Sequence, residues 1–444
     1  MKDMLQATLL GLASLAMATA APPAQAQAST PLRVGAARID ITPPLDHLPA
    51  PFTTIDSRVF LRAVSIESEG SRAILIIADV PTISAPVAQD IIARVAAEAK
   101  VPRERILLGT THTHNVIRVD PNAVGIILPG SPEYVAQVTK AALAAVHQAL
   151  AQMQPAKLGV GKGTAHLVGN RNMWSPAHGR YISDVDRTGT EPIDHSLGVV
   201  KFETLDGRPI AYLLNYAFEP VIAMAMKSAI SGDVPGVAAR LIEERSGGAP
   251  ALFTIGAAGV PLYRAEDTPE PQRADHARQL MQSYGTILAE EALAVSRDLA
   301  MRSDGIVIGG AAKALVCPGK ATSPFNLPDR CAYTADSKLP ACNFKDRDTE
   351  PVKLEMGVIR IGDLALVQTD ANITPALGEK LHRRSPLTQT WIVALTFGPL
   401  RFVVDDAAYG YDSYEATATT AKKGCAEQGY LNGVRDMMTQ LDGQ

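Results

Sequence analysis

The chain has 444 residues, 46% of them hydrophobic and 20% charged, with a formal net charge of −4. That balance suits a globular protein and supplies none of the basic footprint that nucleic-acid binding needs. Lys and Arg are not clustered, so a charge-held role at a membrane surface has no support either.

The chain opens MKDMLQATLLGLASLAMATAAPPAQAQA, with an apolar run from Leu5 to about Ala20 and A-x-A sites ending at Ala26 and Ala28. This is the pattern of a secretory leader. The expected division is a leader over 1–26 and one domain over 27–444, placed in the periplasm or secreted, with no integral membrane segment once the leader is removed. An exported chain meets oxidising conditions, so Cys317, Cys331, Cys342 and Cys425 are expected to form two disulfides. Four cysteines allow three connectivities, and spacing does not choose among them.

Elements follow in order. A short strand and a Pro-rich loop fill 31–52. Two β-branched runs, 58–68 and 72–80, are joined by the turn EGSR. Helical periodicity marks 84–100, with Ser84 at the N-cap position, and 132–153, with Pro132 in the first turn. Between these helices, RILL runs into GTTHTHN. Strands AKLGVGKGTAHL, SLGVVKFET and PIAYLLNYAF come next. A loop enters a helix over 232–248, a strand over 249–259 ends in a glycine-rich turn, and a long helix spans 274–299. Residues 316–352 read as an irregular insertion held by disulfides. A hairpin over 356–372, a helix in TPALGEKLHRRS, a strand in TWIVALTFGP and a helix in GYLNGVRDMMTQL complete the chain. The alternation predicts an α/β fold, with mixed β-sheets sandwiched by helices.

The chemistry gathers at strand exits, where α/β proteins bind ligands. GTTHTHN holds His112 and His114; on a strand, residues two apart share a face, so both imidazoles would meet one patch. NYAFEP delivers Glu219, and VQTDAN delivers Asp370 and Asn372. Two histidines with carboxylates from separate strands make a plausible divalent-metal set. Asp233 precedes a helix, where it can cap or serve a site. Gly256 opens GAAG, a turn whose backbone N–H groups could accept an oxyanion.

These motifs together resemble the neutral/alkaline non-lysosomal ceramidase family in its N-terminal catalytic domain. VGAARIDITPP resembles the family's opening segment, and FLRAVSIES with RAILIIADV its paired strands ending in Asp, here Asp79. GTTHTHN resembles the T-H-T-H-S motif. GNRNMW through NYAFEP, ISGDVPGVAARLIEE and ALFTIGAAG resemble the segments that follow. The resemblance implies a zinc amidase in which a metal-activated water attacks the amide carbonyl. It makes His112 the first ligand and His114 a catalytic support, and it places Arg171 where an arginine could hold substrate. Elsewhere the pattern departs. Glu219-Pro220 stands for His-Pro, and TDAN puts Asn372 at the family's Glu. Phe402 and Pro399 fall at tyrosine positions, Gly256 at a serine and Val260 at an Asp.

Two arrangements stay open on sequence. In one, His112, Glu219 and Asp370 or Asn372 hold a metal, zinc first, with manganese or iron as alternatives. In the other, a metal-free centre uses His112, His114 and Glu219 or Asp233 for acid–base work. The implied activity is hydrolysis of an amide, or an ester, in a small-molecule amide or N-acyl substrate. A non-catalytic binding protein on the same scaffold is the rival reading.

Overall fold

The computed structural model describes residues 31–123, 129–177, 179–320, 331–332, 341–342, 348–398, 401–410 and 414–442. The leader-like segment and most of the Cys-rich insertion lie outside these residues.

Strands alternate side chains between two faces, and here both faces are apolar. In the strand Ser71–Ala78, Ile74, Ile76 and Ala78 join one core cluster, while Ala73, Leu75 and Ile77 join another. In Ile106–Thr110, Ile106 and Leu108 face the first cluster and Leu107 the second. Such two-sided strands must be covered on both sides. The main sheet has nine strands. Their spatial order is Ile106–Thr110, Ser71–Ala78, Phe60–Ser68, Arg33–Asp40, Gln154–Thr164, Ser196–Thr204, Pro209–Phe218, Ala251–Pro261 and Val168–Gly169. The pairs 71–78 with 106–110 and 209–218 with 251–261 are parallel; the other pairs in this sheet are antiparallel.

Helices Ala85–Ala99 and Pro132–Ala151 cover one half of the outer face, and Asp233–Arg245 and Arg273–Arg297 cover the other. The opposite face packs on a second sheet of Ile308–Lys320, Asp348–Ile361, Leu364–Thr369 and Gln389–Val393. Helices Pro375–Arg384 and Ala426–Asp442 close the far side of that sheet. The layers run helix, sheet, sheet, helix, as the alternation of elements predicts. Trp391 of the second sheet seats against Gly198 of the first; a Cβ at Gly198 would meet its ring at 2.7 Å. The two sheets approach that closely only because the residue is glycine.

Ser131 caps the Pro132–Ala151 helix by accepting from Tyr134 N at 3.3 Å. Ser84 holds the N-cap position of Ala85–Ala99, but its side chain makes no cap bond. The expected glycine-rich turn at 256–259 is instead an irregular stretch within the strand Ala251–Pro261, where the pairing with Pro209–Phe218 shifts between Ile255 and Gly259. Cys317 and Cys425 form a disulfide that ties the strand Ile308–Lys320 to the residue before the last helix. The short strands Cys331–Ala332 and Ala341–Cys342 place positions 331 and 342 opposite each other. Among the described residues, no helix is long and apolar enough to cross a membrane.

One buried charge group anchors the end of the strand Ser71–Ala78. The Arg62 guanidinium donates to Asp79 Oδ2 at 2.8 Å and to Glu243 Oε1 at 2.6 Å, with all three side chains buried. Asp79 therefore serves Arg62 and the backbone N–H of Phe60. Removing one partner of a buried ionic group strands the others without compensation. Arg62→Met is expected to cost about 3–5 kcal/mol in urea unfolding; an unchanged unfolding midpoint would contradict this.

Candidate metal centre

The strand Ile106–Thr110 ends before the histidines. His112 takes a left-handed backbone conformation, φ 58°, which costs energy for a residue with a Cβ. The two imidazoles therefore converge through a sharp bend rather than through the two-residue pleat of a strand. Their ring centroids lie 4.5 Å apart, one edge toward the other. Neighbouring segments pin the bend. Thr110 Oγ1 donates to Pro81 O at 3.3 Å and Thr113 Oγ1 to Ser231 O at 2.8 Å. Asn115 Nδ2 donates to Ala229 O at 3.1 Å.

Each histidine is tied by the same device. His112 Nδ1 lies 2.8 Å from Pro81 O, and His114 Nδ1 lies 3.2 Å from Pro220 O. A carbonyl oxygen only accepts, so Nδ1 carries the proton on both rings and Nε2 is left with its lone pair. Both Nε2 atoms face Glu219 Oε1, at 3.4 Å from His112 and 3.8 Å from His114. His112 Nε2 is buried and makes no hydrogen bond. The other carboxylate oxygen, Oε2, accepts from Asn372 Nδ2 at 2.8 Å. The three ligand atoms of His112, His114 and Glu219 lie within 4.8 Å of one another.

Electrostatics keep His114 and Glu219 in ligating form. Burial lowers the pKa of His114 to about 4 against the pull of Glu219. The ring is therefore neutral at pH 7. Burial works to raise Glu219, but the Arg171 guanidinium holds its carboxyl well below the usual range. Two imidazoles held at Nδ1 by backbone carbonyls, with both Nε2 atoms toward one carboxylate, form a donor set that suits a divalent cation. The orphaned His112 nitrogen is the observation that makes the fit specific.

Other expected residues divide. Arg171 reaches the centre, its Nη2 3.7 Å from Glu219 Oε1, and its side chain is 18% exposed. Asn372 reaches it as an orienting group behind Glu219, not as a ligand. Asp370 does not join. Its Oδ1 accepts from Tyr430 Oη at 3.1 Å, and Oδ2 lies 3.8 Å from Arg401 Nη2. Asp233 spends its carboxylate on the backbone N–H groups of Ala223 and Val234, at 2.7 and 2.6 Å, so it holds the loop after Glu219. The N-cap of that helix is Gly232, not Asp233. Gly256 sits inside a strand rather than at a turn, with ordinary room for a Cβ, 3.4 Å from Ala217. Phe402 pairs its backbone with Asn372, Val260 pairs with Gly169, and Pro399 lies outside the described residues. Glu415 was not anticipated. It comes from the five-residue helix Tyr414–Ala418, nearly two hundred residues beyond Glu219, and its Oε1 lies 3.4 Å from Arg171 Nε. No motif signals it.

Residues 49–256 match the model of the neutral/alkaline non-lysosomal ceramidase family, N-terminal domain. A crystal structure of neutral ceramidase from Pseudomonas aeruginosa superposes with a TM-score of 0.73 at 17% identity, over 93% of this chain and 74% of that one. A ceramidase complexed with C2 gives 0.75 at 18% identity, over 93% and 75%. At these identities the likeness establishes the ceramidase-like fold. No curated protein matches by sequence.

The pKa of Asp370 is raised to about 6, mainly by burial, against the opposing charge of Arg401. The folded state then holds this proton over a range where the unfolded chain has lost it. Its contribution to stability is present at low pH and is lost as pH rises toward 6. Asp370→Asn should remove about 2 kcal/mol of the stability gained between pH 7.5 and pH 4.5 in urea unfolding. An equal gain in parent and variant would contradict the assignment.

Proposed function

We propose that the chain is a metal-dependent hydrolase that cleaves an amide bond, or an ester, in a small N-acyl or amide substrate. The observation that carries this is the convergence of His112 Nε2, His114 Nε2 and Glu219 Oε1 at strand exits of a ceramidase-like fold. His112, His114 and Glu219 would hold the metal. Zinc suits two imidazoles and a carboxylate, and manganese or iron suits them as well. A bound divalent cation supplies Lewis-acid polarisation of a carbonyl and lowers the pKa of water.

The chain's own groups then have separable tasks. Pro81 and Pro220 carbonyls fix the two rings in one tautomer. Asn372 holds the Glu219 carboxylate in orientation. Arg171 is the half-open cationic group at the centre, placed to donate to a carbonyl oxygen as negative charge develops there. Burial of His112 and Glu219 keeps bulk water from screening these interactions. An exported location, supported by the leader-like residues 1–26, belongs to the same proposal.

The test is a hydrolysis assay on a panel of N-acyl amides and matching esters, with protein stripped by chelator and then reloaded with zinc, manganese or iron. Activity should vanish on stripping and return on reloading, and His112→Ala and Glu219→Gln should lower it at least about a hundredfold. Full activity in excess chelator would overturn the metal-dependent reading and point to acid–base work by His114. No hydrolysis of any panel member by loaded protein would overturn the hydrolase reading.

A further inference from the structure

The oxygen that faces both histidines is contested. Glu219 Oε1 lies 3.4 Å from His112 Nε2 and 3.8 Å from His114 Nε2, and Arg171 Nη2 stands 3.7 Å from that same oxygen. Its partner Oε2 is taken by Asn372. A divalent cation on Oε1 would meet a guanidinium within a few ångströms, and two like charges there repel strongly where water is excluded. Arg171 must therefore have another place to put its charge.

Glu415 offers that place. Its side chain is 7% exposed, and its Oε1 is 3.4 Å from Arg171 Nε. Its second oxygen, Oε2, is buried and has no hydrogen-bond partner. A buried carboxylate oxygen left unpaired is costly, and an approaching donor would be held there. An arginine fork donates to a carboxylate through two parallel N–H groups, and the open Oε2 of Glu415 leaves room for the second.

We propose that Glu415 is a positioning residue that receives Arg171 from Glu219 when a metal binds, so that arginine and metal alternate on Glu219 Oε1. Without metal, Arg171 bridges the two carboxylates and offsets the charge of Glu219. With metal, the full fork moves to Glu415, freeing Oε1 and fixing the guanidinium beside the centre. This rests on the metal reading of the same site. It adds that metal affinity depends on a residue that is not a ligand.

The experiment measures zinc dissociation constants by competition with a chromophoric chelator, for the parent, Arg171→Ala, Glu415→Gln and the double variant. Arg171→Ala removes the competitor and should tighten zinc binding about tenfold. Glu415→Gln keeps size but removes the charge that receives the arginine, and should weaken binding about tenfold. In the Arg171→Ala background, Glu415→Gln should change little, because there is no arginine left to receive. Glu415→Asp should restore part of the loss. A direct electrostatic effect of Glu415 on the metal would persist in that background, and this result would overturn the proposal. So would Arg171→Ala leaving affinity unchanged or weakening it. Zinc failing to bind the parent at all would instead defeat the metal reading, and this inference with it. Circular dichroism and urea midpoints of each variant separate these outcomes from misfolding.

Discussion

Three lone-pair-bearing atoms, His112 Nε2, His114 Nε2 and Glu219 Oε1, are held facing one another in a buried space. Left alone they would turn away, since acceptors repel and each would gain by reaching a donor or water. They stay because the opposite side of each group is already bonded. Pro81 and Pro220 hold the ring nitrogens, and Asn372 holds the second carboxylate oxygen. The left-handed backbone at His112 belongs to the same arrangement, a local cost borne where the geometry is needed.

The fold supplies the rigidity behind those bonds. Pro81 lies two residues past Asp79, which is clamped by Arg62 between the main sheet and the helix Asp233–Arg245. Asp233, at the start of that helix, holds the loop that follows Glu219 by accepting from Ala223 N. The second sheet carries Asn372 to the centre just beyond the strand Leu364–Thr369. The strands that lead to His112, Glu219 and Asn372 are thus packed on both faces before they reach the centre. This is how a loop-borne site keeps its geometry.

Much of this was legible in the sequence, because strand exits and hydrophobic periodicity are local. The long helices, the β-branched strands and the pair His112 and His114 could all be read from short windows, as could Glu219 after NYAFEP. What was not legible depends on tertiary direction. Asp370 and Asn372 are two residues apart, and sequence cannot tell that one faces Tyr430 while the other faces Glu219. Reading GAAG as a turn followed its glycines, but the segment is a bulge-like irregularity inside a strand whose parallel pairing with Pro209–Phe218 resumes at Gly259. Glu415 is set beside Arg171 by folding alone, across more than two hundred residues of chain.

The central claim is that His112, His114 and Glu219 together hold one divalent cation. The most direct measurement is diffraction at the zinc absorption edge, from crystals grown with zinc. The account predicts one anomalous peak, about 2 Å from His112 Nε2, His114 Nε2 and Glu219 Oε1. No peak there, or a peak ligated by Asp370 or Asn372 with His114 left out, would contradict it.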